Sequence, residues 1–414
     1  MKKIIAILMA LLLVVGCFAA CGDGSKDDDG KNNSELTPIS IEGNVIKIGV
    51  FEPATGENGA GGMQEVLGIR YANTVAPTVT IGGVEYTIKL EEVDNQSDKS
   101  AAVTAAQSLV SKKVAAVLGS YGSGVSIAAG STFADNKIVA IGCSCTNPQV
   151  TLDNDYYFRV CYLDPFQGTV MAKYALSQGA KTAAVINQNG DDYSTGLASY
   201  FKAGFAENGG TIAYEGTYNT NETDFNAILA SVKAANPDVV FVPSSIQTAG
   251  LFIKQAKEMG ITAKLMAGDT WENATIIENA GKENCEGVVF STFFDENDKS
   301  SADFVAGYKA YLNSSAENLK LNGGNDTVAA VSALGYDAYM TIVEALKKLD
   351  PNNLTQEGLR EALTTVEYDG VTGHVTFDEN GDANKDMTYI KTMTDGGFKF
   401  LGTQKTDGTF TPAQ

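Results

Sequence analysis

Apolar positions in this chain fall into short blocks that alternate with longer segments of helical spacing. Residues 45–51 form a compact apolar run, as expected of a strand buried on both faces. The loop from Glu52 to Gly56 leads through Gly59, Gly61 and Gly62 into a helix that ends near Asn73. Residues 86–93 read as a strand. In 98–112, Ala102, Ala105, Ala106 and Leu109 recur at i, i+3, i+4 and i+7, which predicts a helix with one buried face. Strands 114–118 and 138–141 flank a helix at 125–135, and 156–160 is a short strand that ends this first series. A second series of similar size follows. It has helix 166–178, strand 182–188, helix 193–208, strand 211–218, helix 224–235, strand 238–242, helix 248–259, strand 264–268, helix 273–280 and strand 286–290. Helix 302–313, a polar loop at 317–326, a long helix at 327–349 and a helix at 356–364 come next, then short strands from Gly370 onward.

Two runs of strand–helix alternation predict an α/β chain of two doubly wound parallel-sheet lobes. Late helices followed by strands send the chain back to the first lobe and across once more, so three hinge crossings join the lobes. The expected boundaries are 45–162 with 293–370 for the first lobe and 163–292 with 371–414 for the second. Met1-Lys2-Lys3 and the twelve apolar residues 4–15 read as an export signal ending at residue 20, too short to span a bilayer comfortably. Residues 21–44, rich in Gly, Asp, Ser and Asn, read as a flexible tether. The small residue before each cysteine in Gly16-Cys17 and Ala20-Cys21 resembles the lipobox of bacterial lipoproteins. That resemblance implies lipidation at Cys21, with Cys17 the alternative, and anchoring to the outer face of the cell membrane.

A formal net charge of −20 repels phosphate backbones and argues against a nucleic-acid partner. With a single histidine, a multi-His metal site is impossible, and the six cysteines show no metal spacing. They read as free thiols, and neither metal nor cofactor is expected. Catalysis finds no support either. Gly122-Ser123-Gly124 lacks the spacing of a hydrolase elbow, and Ser144 sits between two cysteines with no glycine after it. No phosphate-binding or zinc-protease motif occurs.

Ligands of open parallel sheets bind outside the carboxyl ends of the strands. Two neighbouring strands here end in small and hydroxyl residues, Gly119 to Gly124 and Gly142 to Thr146. Ser123 falls at or just before the start of a helix. Its hydroxyl and the free N–H groups there form a cradle for a small anion, most simply a carboxylate.

The order of elements and several motifs resemble the leucine/isoleucine/valine-binding family, the type I solute-binding proteins of branched-chain amino acid ABC transporters. The carrying residues include Ile48 to Phe51 with Thr55-Gly56, Leu118-Gly119 with Ser123, Ile141 to Thr146 with Pro148, and Phe158-Arg159 leading to Asp164 and Gln167-Gly168. Asp192 to Gly196, Gln255 to Gly260, Gly268-Asp269, Glu286 to Val288 and Gly373 to Asp382 continue it, over about residues 45 to 400. The resemblance implies two lobes that close on an α-amino acid, branched-chain or otherwise hydrophobic. It implies delivery to the transmembrane subunits of an ABC permease, by a monomer and not an enzyme. On this reading Ser123 holds the ligand carboxylate. Ser144, by its carbonyl, and Thr146, by its hydroxyl, contact the amino and carboxylate groups. Tyr193 covers the ligand from the second lobe, and Asp269 pairs with the ammonium where the family commonly has Glu. Trp271, the only tryptophan, is expected as a pocket wall. Two alternatives stay open: a binder of amides, urea or aromatic acids on the same fold, and a ligand sensor without transport.

Overall fold

The computed structural model describes residues 36–413. The expected export signal, both candidate lipidation cysteines and the first part of the tether lie outside the described residues. Two largely parallel sheets carry the fold. The first has the spatial order Thr78–Ile81, Val84–Asp94, Val45–Glu52, Ala116–Leu118, Val139–Gly142, Tyr157–Arg159. The second has Thr211–Asn219, Thr182–Asn189, Val239–Phe241, Lys264–Ala267 and Val289–Thr292, extended by the antiparallel strands Met387–Thr394, Gly397–Lys405 and Phe410–Pro412. In both, the first parallel strand along the chain lies between the second and the third. The winding direction reverses there, and a crevice opens at the carboxyl ends of the strands.

The chain passes between the lobes three times: between Arg159 and Asp164, between Thr292 and Ala302, and between Val375 and Met387. After the second crossing it returns to the first sheet, where Ala330–Lys347 lies against Gly59–Val75. Gly68 permits this close approach, because a Cβ there would sit 1.9 Å from the Ser332 carbonyl oxygen.

A fully buried guanidinium ties the crossings to the loop after Val139–Gly142. Arg159 Nε donates to Asp382 Oδ1 at 2.5 Å, and Asp382 belongs to the third crossing. Nη1 donates to the carbonyl oxygens of Cys145 and Asn147, each at 2.7 Å, and Nη2 to Thr151 Oγ1 at 2.6 Å. The second lobe has a counterpart: buried Lys391 Nζ lies 2.5 Å from Glu272 Oε1 and 3.1 Å from Asp295 Oδ2, the latter on the second crossing.

Three features depart from the sequence reading. The tether does not run to Asn44. Thr37 bonds the Glu357 carboxylate through its N–H and hydroxyl at 2.9 and 3.1 Å, the Ile39 N–H donates to the Leu354 carbonyl at 2.9 Å, and Ile41–Glu42 pairs with Val45–Glu52. The alternating Ile39 and Ile41 bury enough apolar surface to dock this otherwise polar stretch. The polar loop at 317–326 contains a short helix, Ala316–Leu321, capped by Ser315. The edge strand Thr78–Ile81 pairs with Val84–Asp94 through a tight turn at Gly82-Gly83. His374 is exposed with Nδ1 2.6 Å from Asp369 Oδ1, and Cys143, Cys145, Cys161 and Cys285 are buried free thiols. Among the described residues no helix is long and apolar enough to cross a membrane.

Arg159→Lys keeps a charge but not the fork of donors. We expect it to lower stability by about 1–3 kcal/mol, the cost of leaving buried acceptors without a donor. Urea unfolding checks this, and an unchanged midpoint would mean that the guanidinium network is dispensable.

Candidate functional site

Six loops at the carboxyl ends of strands converge between the lobes. The first lobe contributes Asn58 after Val45–Glu52, then Tyr121, Gly122 and Ser123 after Ala116–Leu118, and Ser144 after Val139–Gly142. The second contributes Asp191 and Tyr193 after Thr182–Asn189, Ser244 and Ser245 after Val239–Phe241, and Asp269 and Thr270 after Lys264–Ala267. They surround a narrow space between the lobes.

One end of this cleft is built to receive an anion. Gly119 turns the chain out of its strand with φ 117°, and a Cβ there would meet the Phe51 carbonyl oxygen at 2.3 Å. Ser123 is the first residue of the helix Ser123–Asp135, so its amide and the next ones lack intrahelical acceptors. The Ser123 hydroxyl accepts from the Asn147 N–H at 3.1 Å, which fixes the two first-lobe loops to each other. The Ser144 hydroxyl donates to Glu65 Oε1.

Behind these loops lies a buried acid pair. Glu52 Oε2 accepts from the Tyr121 N–H at 2.6 Å, while Glu52 Oε1 and Glu65 Oε2 have no hydrogen-bond partner. The two carboxyls and the Cys143 thiol lie within 4.8 Å of one another. Burial raises Glu65 to about 7 and Glu52 well above the ordinary carboxyl range. A single shared proton satisfies both free oxygens. Burial also raises the Cys143 thiol, so the cluster lacks the thiolate that would attract a soft metal.

The opposite wall is anionic. Asp269 is 3% exposed, and its Oδ1 accepts from Gln167 Nε2 at 2.7 Å and from Tyr193 Oη at 3.1 Å. It makes no salt bridge to Lys or Arg among the described residues. Burial therefore pushes its pKa up to about 6, against the Gln167 hydrogen bond. Half-buried Asp191 caps the helix Asp192–Glu207 by accepting from the Ser194 N–H at 2.7 Å, and burial lifts it to about 6 as well. The lobes touch around the cleft. Lys99 Nζ meets Asp192 Oδ2 at 2.7 Å, Asn147 Nδ2 donates to the Asp192 carbonyl at 2.8 Å, and the Ile246 N–H donates to Asn58 Oδ1 at 3.2 Å.

Ser123, Ser144, Tyr193 and Asp269 thus line one cavity. Thr146 does not line it. It is fully buried, its Oγ1 has no hydrogen-bond partner, and its carbonyl accepts from the Asp164 N–H at 2.9 Å. Trp271 is not a pocket wall. The indole is completely buried in the core, and Nε1 donates to Ser244 Oγ at 3.0 Å, so it props a loop that lines the cleft. A large apolar ring gains more from the core than from a polar cleft. Sequence reasoning missed Asn58, Asp191, Ser244 and Ser245 as lining residues. The strand-end rule, applied to every strand of the second lobe, reaches the last three.

The family profile described as "Periplasmic binding protein" matches residues 45–397. Leu/Ile/Val-binding protein homolog 1 of Brucella abortus (strain 2308) is 28% identical over 342 residues, 81% of this chain and 87% of its own length. The crystal structure of the leucine-binding protein LivK of Thermotoga maritima is 30% identical, with a TM-score of 0.79 over 88% of this chain and 100% of that one. LivJ of Streptococcus pneumoniae, a branched-chain amino acid transporter substrate-binding protein in complex with isoleucine, is 26% identical, with a TM-score of 0.77 over 89% and 100%.

The raised carboxyls give the protein a signed pH response. Glu65 (about 7), Asp191 and Asp269 (about 6) all bind protons more tightly folded than unfolded. Their contribution is fully present below their unfolded pKa and is lost as pH rises through 6 to 7. The melting temperature of the ligand-free protein should fall between pH 5 and pH 8. The fall should be smaller in Glu65→Gln, whose amide donates to Glu52 without titrating. Melting curves at the two pH values decide it, and equal slopes in the two proteins would remove Glu65 from the account.

Proposed function

We propose a function from one premise: the chain belongs to the periplasmic binding protein family. It is an extracytoplasmic solute-binding protein of the ABC transporter type rather than an enzyme. The solute, in our reading, is an α-amino acid held in the interlobe cleft.

One observation carries this reading. A buried carboxylate without a basic partner, Asp269, lines the same small cavity as the open helix end at Ser123. A zwitterion supplies what each end lacks. The Ser123 hydroxyl and amide take the α-carboxylate, with the Ser144 carbonyl beside it, while Thr146 stays behind the loop and does not touch the ligand. Asp269 takes the ammonium. Tyr193 covers the ligand while its hydroxyl steadies Asp269, and Trp271 acts indirectly by holding Ser244. Charge-assisted hydrogen bonds in a closed cleft are the strong kind. LivJ with isoleucine and LivK, named for leucine, support the class of ligand.

The working parts are the two lobes, which close on the solute and open at the three crossings, the third of them after Val375 rather than at residue 371. The closed form is what the transmembrane subunits of a permease would recognise. Lipidated Cys21 would hold the monomer at the outer face of the membrane.

A thermal-shift screen of the mature protein against the amino acids tests this. A ligand at 100 times its Kd should stabilise by about 2.7 kcal/mol. Asp269→Asn should weaken binding about 100-fold, the cost of removing one partner of a buried charge pair. Affinity should also fall as pH drops below about 6, because Asp269 must be ionised to meet an ammonium. A protein that no amino acid stabilises, or an Asp269→Asn variant that binds unchanged, would sink the reading.

A further inference from the structure

The cleft is one-sided in its chemistry. Among the described residues no aliphatic side chain and no phenylalanine lines it, and the rings there are those of Tyr121 and Tyr193. Its charged side chains, Asp191 and Asp269, are both acidic, and among the described residues no Lys or Arg lines it. The apolar surface that a branched aliphatic side chain would meet comes from tyrosine rings and the carbons of small polar residues, with no aliphatic partner among them. Such a side chain would also bring no cation to the Asp191 carboxylate.

Charge balance takes the argument further, on the footing of the amino-acid reading above. The ligand's α-carboxylate goes to Ser123 and its α-ammonium to Asp269, which leaves Asp191 unmatched. One Asp191 oxygen caps a helix through the Ser194 N–H at 2.7 Å, and the other has no hydrogen-bond partner among the described residues. Lys99, whose charge also acts on Asp191, is bonded elsewhere: its Nζ sits 2.7 Å from Asp192 Oδ2 and donates to the Gly190 carbonyl at 3.1 Å. Glu57, next to Asn58, adds a further carboxyl, and its contact is the neutral Gln188 amide at 3.2 Å. Closing a net negative cleft on a neutral side chain buries an uncompensated charge, which is costly.

We infer that the solute is a basic α-amino acid, with its side-chain cation held at Asp191 and its α-ammonium at Asp269.

Isothermal titration of the mature protein with lysine, ornithine, arginine, glutamine, leucine, isoleucine and valine tests this. The basic amino acids should bind about tenfold or more tighter than the others. Asp191→Asn should cut lysine and arginine affinity about tenfold or more, with glutamine affected far less. Asparagine is as good a helix cap as aspartate, so the variant keeps the fold. If leucine, isoleucine, valine or glutamine binds as tightly as the basic set, or if Asp191→Asn leaves lysine and arginine affinity unchanged, the inference falls and the amino-acid reading stands. If none of the seven binds, the inference falls, and the thermal-shift screen against all the amino acids decides the wider reading.

Discussion

A single guanidinium without access to water holds the binding loop to the hinge. Burying a charge costs several kcal/mol unless its donors are matched. Arg159 matches them with Asp382, Thr151 and the carbonyls of the loop that carries Ser144 and Thr146. That loop is therefore fixed before any ligand arrives. Its position is set by the first lobe and by a segment of the third crossing. Movement between the lobes must occur in the crossings, because the loop itself has no freedom left to absorb it.

The opposite principle governs the other wall. Carboxyls are gathered around the cleft without the cations that usually accompany them. Glu52 and Glu65 settle the conflict internally by sharing a proton, while Asp191 and Asp269 leave theirs for a visitor. A binding protein can tolerate this arrangement because its extensive apolar cores, built from buried parallel strands and covering helices, supply the stability that the cleft withholds.

Much of the fold was legible because buried parallel strands read as uninterrupted apolar runs, and both series are made of them. Helices 302–313 and 356–364 matched the sequence reading at both ends. What escaped notice was short or polar: the edge strand Thr78–Ile81 with its two threonines, and Ala316–Leu321, too brief for a helical stripe. In the cleft, Ser123 was legible from strand-end chemistry, while Tyr193 and Asp269 needed the family resemblance. Glu52 and Glu65 were not legible, because a glutamate looks the same in sequence whether it faces water or a second carboxyl. Asp382 lies 223 residues from Arg159, a pairing no local pattern announces. Trp271 misled because rarity says nothing about location.

The docking of Thr37 to Glu42 gives the molecule a mechanical polarity. These residues are clamped to the first lobe by the Glu357 carboxylate, the backbone around Leu354 and the pairing with Val45–Glu52. Tension applied at the N-terminus would load that seam in shear and stop at the first lobe. The second lobe reaches that seam through the crossings and the contacts around the cleft, so its swing would do little work against such a pull. A pulled molecule could thus open and shut as readily as an untethered one.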